Sequence, residues 1–509
     1  MVDPRTPVLV GVGQFTERID DDGYRGMSAV ELATEATRAA LTDTGADAAA
    51  VAEAIEVFAA LRQFEISTPF SAAPLGCSDN FPRSVAARIG ADPVRAVLEP
   101  LGGHGSQKVV TEFCAAIAAG DAEVVLVLGS ENGSTLRHFA RRDDKPDHSE
   151  QVGGQLEDRG YGFEQYMDEY TATHGLTGAP VQYGLLDNAR RSRLGAGVAD
   201  YRRSMGELFA PFSEIAAKNP FSSAPTQRSV DELVTVTADN RMICDPYPRL
   251  MVARDQVNQG AAVLIMSVAA ARRLGVSEDK WVYLHGHADL VEQSLLDRAD
   301  LSTSVSAELA VAEALRVAGI GLADVSTFDL YSCFPFPVFA VCDTTGLATD
   351  DPRGLTLTGG LPFFGGPGNT YSLHGIAETV LNMRDNPGRF GLVGANGGVM
   401  SKYSVGVYSS APAEWAADRS RDLQAQIDEQ PRVAVTRRPD GPGTIETYSV
   451  RYDWPTTTGI IIGRLDADGS RFMAVTTDED LLALMTEGDP LGAAIVVTAG
   501  EKKNRAVLA

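Results

Sequence analysis

A glycine-rich turn between two apolar runs carries the first residues whose types and spacing could do chemistry. In the stretch "LEPLGGHGSQKVVTEFC", His104 and Ser106 stand where a helical pattern begins. The start of a helix favours negative charge, because its first N–H groups are unpaired and the helix dipole is positive there. A serine beside a histidine base could act there as a nucleophile. The alternative is that Ser106 serves simply as the helix cap and that His104 simply hydrogen-bonds a backbone carbonyl.

Three more polar side chains stand out later in the chain. Tyr331, in "DLYSCFPFP", follows an apolar strand pattern, and its hydroxyl could either meet a ligand or be satisfied inside the core. His374, in "NTYSLHG", lies in a helical pattern and is either catalytic or a packed core histidine. Cys333 has apolar neighbours and is most simply a small core residue.

Arginines concentrate between about Ser130 and Asp245, although the chain as a whole is acidic, with a formal net charge of −24. Guanidinium groups bind phosphates through paired hydrogen bonds, so this region could hold the phosphates of a nucleotide. The alternative is a solvated helix face whose charges pair with Asp187 or Asp200. The candidate arginines are Arg141, Arg142, Arg190, Arg191, Arg193, Arg202 and Arg203.

Length and composition indicate an ordinary globular protein. A chain of 509 residues predicts two to four domains, and 44% apolar with 22% charged residues is a typical content. The negative charge argues against nucleic acid and acidic membrane surfaces as partners. No signal segment or membrane-length apolar run is evident, so we expect a cytoplasmic location. The five cysteines are scattered and form no C-x-x-C pair, which favours reduced thiols and no metal site.

Strand and helix patterns alternate, and one combination returns in the second half. A short strand at 7–13 precedes a helix at 28–44 that begins with a serine and ends before Gly45. The phrase at 306–332 repeats this spacing, which predicts an internal duplication into two α/β halves with largely parallel sheets. The alternative is a chance similarity between two alanine-rich helices.

Two regions fall outside this duplicated pattern. The polar stretch between the strand patterns at 124–129 and 261–267 is too long for a plain loop and predicts an inserted subdomain. After Ser410, a connecting helix pattern leads into short strand patterns separated by turns, which are typical of a small β-barrel.

Several motifs together resemble the thiolase superfamily over roughly residues 5–410. They occur in the family's order and are "VGVGQF", "ELATEATRAAL", "AAIAAGDAEVVLVLGSEN", "GGLPFFGGPG" and "ANGGVMSKYSVGVYSS". Among thiolases, the stretch "DLYSCFPFP" is most similar to the H-D-C-F element of the sterol-carrier type.

The resemblance implies a thiolase fold with layered αβαβα halves. The expected domains are an N-terminal half at 1–270 with a loop domain at 130–245, a second half at 271–412, and an additional domain at 413–509. The additional region resembles OB-type domains that occur as separate partners of thiolase-like proteins.

The positions that carry catalysis in thiolases are all altered. Counting back from "AAGDAEV", the nucleophilic cysteine would fall at Gly103 or His104, and Tyr331 replaces the Asn or His of the next element. Gly366 replaces the histidine of G-H-P, and Ala395 replaces the second cysteine. Cysteine-dependent Claisen chemistry by the standard mechanism therefore has no nucleophile. Replacement catalytic candidates are His104, Ser106, Tyr331 and His374, and the backbone expected to line the cavity is that of Gly103, Gly366, Asn396 and Gly397.

The resemblance implies an acyl-coenzyme A thioester as ligand, no separate cofactor, and a coenzyme A site among the arginines of the loop domain. Three functions remain open. The first is an acyltransferase with Ser106 as nucleophile and His104 as base. The second is a retro-aldol carbon–carbon lyase with Tyr331 as base and His104 or His374 as donor, and the third is a non-catalytic acyl-CoA binder. Thiolases are usually dimers or tetramers, but the additional domain also makes a monomer plausible.

Overall fold

The structure is a computed structural model that describes residues 2–162, 168–452 and 456–509. The strands are β1 (Pro7–Thr16), β2 (Val57–Leu61), β3 (Arg95–Glu99), β4 (Val124–Asn132), β5 (Glu157–Asp158), β6 (Met242–Cys244), β7 (Tyr247–Pro248), β8 (Asn258–Ser267), β9 (Tyr283–Val291), β10 (Val325–Leu330), β11 (Phe390–Gly397), β12 (Lys402–Ser409), β13 (Gly441–Tyr452), β14 (Thr457–Leu465), β15 (Arg471–Thr476), β16 (Ala494–Thr498) and β17 (Arg505–Leu508). The helices are α1 (Ala29–Asp43), α2 (Ala48–Glu53), α3 (Phe81–Ile89), α4 (Gly105–Ala119), α5 (Gly133–Phe139), α6 (Glu169–Thr173), α7 (Ala179–Leu194), α8 (Val198–Lys218), α9 (Val230–Val234), α10 (Val268–Arg273), α11 (Val305–Ala318), α12 (Pro335–Thr345), α13 (Tyr371–Asp385), α14 (Ser420–Asp428) and α15 (Glu479–Glu487).

Two sheets with the same strand arrangement form the centre of the molecule. The first has the order β1-β8-β4-β2-β3-β5 and the second the order β9-β12-β11-β10. In the first sheet the pairs β1–β8 and β8–β4 are antiparallel and β4–β2 is parallel. In the second sheet the corresponding pairs β9–β12 and β12–β11 are antiparallel and β11–β10 is parallel. The predicted duplication is therefore confirmed.

The prediction of largely parallel sheets holds for only one end of the first sheet. Its pairs β4–β2, β2–β3 and β3–β5 are parallel, but the second sheet has one parallel and two antiparallel pairs. The cause is the connection between β11 and β12, which consists only of residues 398–401. A parallel neighbour needs a crossover of a dozen or more residues, so this short turn forces an antiparallel pair.

Helices cover both outer faces of the sheets, and α4 and α13 lie between them, which gives the five layers αβαβα. The predicted first helix begins as expected, because Ser28 and Glu31 form a reciprocal capping box at α1. Each half also uses a glycine to bring the helix close to its sheet. A Cβ on Gly13 would overlap the backbone of α1, and a Cβ on Gly286 would overlap the backbone of α11.

The C-terminal strands form a closed five-stranded barrel. Around the barrel the order is β13-β14-β15-β17-β16, and β13 pairs with both β14 and β16. Helix α15 connects β15 to β16, and β15 lies parallel to β17, an arrangement typical of an OB-type barrel. The sequence patterns missed β17 and α15, since both are short.

The barrel packs on the insertion that follows β4. Helix α7 of the insertion lies against β13, and β6 extends the barrel sheet through its pairing with β13. Within the described ranges, no helix has both the length and the apolar character needed to cross a bilayer.

Candidate functional site

A cavity of about 440 Å³ lies where the two halves and the insertion meet. The turn before α4 contributes Gly102 and Gly103, the turn before α13 contributes Asn369, and the start of α7 contributes Pro180. Its walls are mainly apolar, with a few polar groups among them. Helix starts from both halves and from the insertion therefore converge on one space, as is usual for ligand sites between domains.

Gly103 packs tightly against the opposite half. A Cβ at this position would lie 2.6 Å from the carbonyl oxygen of Asn396 and from Cζ of Tyr331. The turn is also tied to the second half by Gly102, whose N–H donates to Oδ1 of Asn369 at 2.8 Å. The start of α4 is thus positioned by direct contacts with the opposite half.

Tyr331 follows the end of β10 and its ring lines the cavity. Its backbone N–H donates to the carbonyl of Gly394 at 2.9 Å, and its ring meets Tyr371 edge-on with centroids 5.3 Å apart. Burial raises the pKa of the Tyr331 hydroxyl well above its usual range, and the adjacent Cys333 contributes to the rise. The phenol is therefore neutral at physiological pH and can donate a hydrogen bond.

Two of the predicted backbone positions also line the cavity, namely Gly366 and Asn396. The side-chain Nδ2 of Asn396 donates to the Tyr183 hydroxyl at 2.6 Å, whereas its Oδ1 is buried without a partner among the described residues. Gly397 lies just outside, against the ring of His104. Gly103, Tyr331, Gly366 and Asn396 thus line one cavity, and their roles there stay predictions.

Comparison with known proteins fits this geometry. A family model described as the thiolase-like protein type 1 additional C-terminal domain matches residues 422–502. The crystal structure of a monomeric SCP2-thiolase-like protein type 1 from Mycobacterium smegmatis is 64% identical, with 100% of each chain covered and a TM-score of 0.88. This chain belongs to the SCP2-thiolase-like protein type 1 family.

More distant structures share the thiolase fold with this type 1 protein. An Ltp2–ChsH2(DUF35) aldolase is 18% identical, covers 80% of this chain and 99% of its own, and has a TM-score of 0.58. Human mitochondrial 3-ketoacyl-CoA thiolase is 16% identical, covers 80% of this chain and 100% of its own, and has a TM-score of 0.55. The comparison with curated proteins found no matching sequence.

His104 directly precedes α4 in this thiolase-like protein but does not line the cavity, because its ring packs against Gly102 and Gly397. Its Nδ1 is buried and has no hydrogen-bond partner in the described part of the chain, so the expected bond to a carbonyl is not formed by this atom. Burial lowers its pKa well below the usual value, and the positive charges of Lys402 and Lys108 lower it further. The imidazole is therefore neutral.

Ser106 and His374 do not line the cavity. Ser106 is inside α4 rather than at its cap, and its hydroxyl donates to the carbonyl of Asn369 at 2.8 Å. His374 is fully buried on α13, where Nδ1 lies 2.7 Å from Oε1 of Gln14, and burial lowers its pKa to about 3. The structure thus places both residues in contacts between the halves, and their catalytic roles stay predictions.

None of the seven candidate arginines lines the cavity. Arg190 forms a bidentate ion pair with Asp343 at 2.7 and 2.8 Å, and Arg191 forms one with Asp489 at the same distances. These partners differ from Asp187 and Asp200, which the alternative interpretation of the sequence named. The remaining pairs are Arg142 with Asp144, Arg193 with Asp343, Arg202 with Asp245, and Arg203 with Glu207 and Asp231, while Arg141 is exposed.

Sequence reasoning missed five polar groups of the cavity, namely Tyr183, Asp255, Asn369, Ser401 and Lys402. The only available signal was position, because Asn369 directly follows the "GGPG" motif and Lys402 directly precedes an apolar strand. Cys333, which the sequence placed in the core, also lines the cavity, and burial raises the pKa of its thiol to about 12. Within the described ranges, no cluster of three or more metal-ligating side chains occurs.

Proposed function

We propose that this protein binds an acyl-coenzyme A thioester in the cavity between its halves, with the thioester carbonyl beside Tyr331 and the start of α4. The observation that carries the proposal is the convergence of a neutral phenol and the glycine turn at the start of α4 on a mainly apolar space. A hydrogen-bond donor such as this phenol stabilises a carbonyl oxygen that gains negative charge. A cavity of about 440 Å³ also has the size typical of small-molecule sites.

Covalent acyl transfer is the less favoured chemistry for this site. The start of α4 carries no thiol, and the hydroxyl of Ser106 is fully buried and donates to a backbone carbonyl outside the cavity. The thiol of Cys333 does line the cavity, but its raised pKa keeps it protonated, and a thiol is a much weaker nucleophile than a thiolate. The proposal is therefore binding without an acyl-enzyme intermediate.

Retro-aldol cleavage of a β-hydroxyacyl thioester is the second candidate function, because it needs donors and a base but no nucleophile. In that reaction the hydroxyl proton passes to the base, the Cα–Cβ bond breaks to leave an aldehyde or ketone, and the enolate takes up a proton to become a shortened thioester. The raised pKa of Tyr331 changes its expected role from base to donor, because a neutral phenol suits the enolate oxygen. No role in this reaction is assigned to His104, which lies outside the cavity lining and whose pKa is lowered by burial.

We assign the phosphates of coenzyme A to Lys402 and Arg254 rather than to the arginine pairs of α7. Lys402 lines the cavity, and exposed Arg254 lies between Ala253 and Asp255, which both line it. The side chains of Arg190 and Arg191 are buried and held in bidentate ion pairs, so binding a phosphate would cost them these hydrogen bonds. The Arg254→Ala variant should weaken coenzyme A binding, and exposed Arg203→Ala on α8 is the matched control.

Calorimetric titration with acetyl-CoA tests the proposal. Tyr331→Phe should weaken binding about fivefold or more, the worth of one buried hydrogen bond. Tyr283→Phe, which removes a hydroxyl at the start of β9 outside the cavity, should leave the affinity unchanged. Equal affinities of wild type and Tyr331→Phe would refute the placement of the thioester.

Product analysis then distinguishes the three functions. Release of an aldehyde or ketone from a β-hydroxyacyl thioester would establish the lyase, and its loss in Tyr331→Phe would support the assigned role. An acyl group found on Ser106 by mass spectrometry would contradict the proposal of binding without a covalent intermediate. Binding of acetyl-CoA with neither reaction would leave a non-catalytic binder.

A further inference from the structure

A second cavity, of about 190 Å³, lies beside the first at the junction of three parts of the chain. The insertion contributes Leu176, and the second half contributes Leu295. The segment that leads into the barrel contributes Val435 and Arg437. The additional C-terminal region therefore forms part of its wall.

The two cavities adjoin each other and share part of their wall. Ser401 lines both of them. Tyr183 and Gly398 face the first cavity, whereas their chain neighbours Gln182 and Val399 face the second. The wall is held by the Tyr183 hydroxyl, which donates to the carbonyl of Gly398 at 2.7 Å. A ligand in the first cavity thus lies next to the second.

Buried polar groups at this wall lack partners. Gln182 is 1% exposed, and its Oε1 forms no hydrogen bond with the described residues. Arg298 is 4% exposed and donates through Nη2 to the carbonyl of Val399 at 3.0 Å and to the Ser401 hydroxyl at 3.4 Å. Its Nη1 has no partner in the described part of the chain. Buried polar groups are nearly always paired, so an acceptor and a donor left free beside a cavity call for a ligand group.

We propose that the second cavity receives the far end of the acyl group of a thioester bound in the first cavity, and that this end carries a hydroxyl. A hydroxyl can donate to a free acceptor such as Gln182 Oε1 and accept from a free donor such as Arg298 Nη1. A plain hydrocarbon end would leave both groups unpaired. A carboxylate only accepts hydrogen bonds, so it could pair with Arg298 Nη1 but would leave Gln182 Oε1 unpaired. This inference rests on the proposed thioester binding in the first cavity.

The test compares lauroyl-CoA with its ω-hydroxylated counterpart by calorimetric titration of the full chain. Wild type should bind the hydroxylated thioester about fivefold more tightly or better. Val435→Trp fills the second cavity from its outer wall, so it should abolish this preference and weaken both long thioesters, while acetyl-CoA binds as in wild type. Val507→Trp, at an exposed valine of β17, is the matched control and should change none of the three affinities.

The possible failures are distinguishable. Equal affinity of wild type for the two long thioesters, or a preference that survives Val435→Trp, would overturn the inference while acetyl-CoA binding still supports the proposed function. If acetyl-CoA does not bind to wild type, the proposed function is wrong and the inference with it. Should Val435→Trp fail to fold, Ser401→Ala must reduce the preference for the hydroxylated thioester, and an unchanged preference would refute the inference.

Discussion

Replacing Gly103 by alanine is the sharpest test of how the two halves form the site. The added methyl group would lie 2.6 Å from the carbonyl oxygen of Asn396 and from Cζ of Tyr331, whereas ordinary contacts are 3.4–4 Å. Movement of Asn396 is restrained, because β11 pairs with Tyr403 of β12 at this residue and with β10 as far as Gly394. The displacement of roughly 1 Å must therefore fall on the Tyr331 ring or on the start of α4, and such overpacking costs about 1–3 kcal/mol.

The variant should lower both the thermal stability and the affinity for acetyl-CoA. Displacement of Tyr331 removes the proposed donor, so binding should weaken about tenfold, which corresponds to 1.4 kcal/mol. Differential scanning fluorimetry and calorimetric titration measure the two effects. Gly23→Ala is the control, because a Cβ there meets nothing within 4 Å. Wild-type stability and affinity in Gly103→Ala would refute the close approach of Tyr331 to the helix start and the site built on it.

Three further predictions follow from buried charges. Arg190→Ala should destabilise the fold by about 3 kcal/mol, because Asp343 loses its main partner. It should leave the affinity for acetyl-CoA unchanged in calorimetric titrations. Lost affinity at wild-type stability would instead support Arg190 as a coenzyme A ligand. His374 is neutral in the folded protein but takes up a proton in the unfolded chain, so the free energy of unfolding should fall as the pH drops below 6.5, by roughly 3 kcal/mol at pH 4. The melting temperature, measured by thermal scans at different pH values, should depend less on pH in His374→Gln. Arg159→Ala removes the ion pairs to Glu99, Glu112 and Glu157 that hold β5 on the edge of β3. The exposed edge of β3 should then pair with a second copy of the chain, and light scattering should detect dimers. A monomer at every concentration would contradict this.

The duplication and the cavity were predictable from the sequence because their signals are local. The helix that follows β1 and the helix that follows β9 share their start, length and terminal glycine, and the same motifs recur in thiolase order. Counting back from "AAGDAEV" placed Gly103 at the start of α4. The motif "DLYSCFPFP" placed Tyr331 at the Asn or His position of the family. These residues meet because the fold fixes where each motif lies.

The charge partners were not predictable, because they are distant along the chain. Arg190 pairs with Asp343, 153 residues away, and Arg191 pairs with Asp489, 298 residues away in the C-terminal region. A sequence pattern offers only neighbours such as Asp187, which the structure instead places against the hydroxyl of Tyr201 at 2.6 Å. An arginine-rich stretch therefore indicates charge density, but whether the charge is free depends on the tertiary fold.

The altered motif positions are physically linked rather than independent losses. Gly103 is one of the two positions where the family resemblance expects the nucleophilic cysteine, and the space that a side chain would need there is occupied by the hydroxyl end of Tyr331. The phenol replaces a smaller residue of the opposite half, so its presence requires the glycine, and the glycine leaves no thiol. A single group thus fills the nucleophile position and supplies a hydrogen-bond donor to the same cavity. This coupling supports the proposal of carbonyl binding without a covalent intermediate, since loss of the thiol alone would have left a vacant space there.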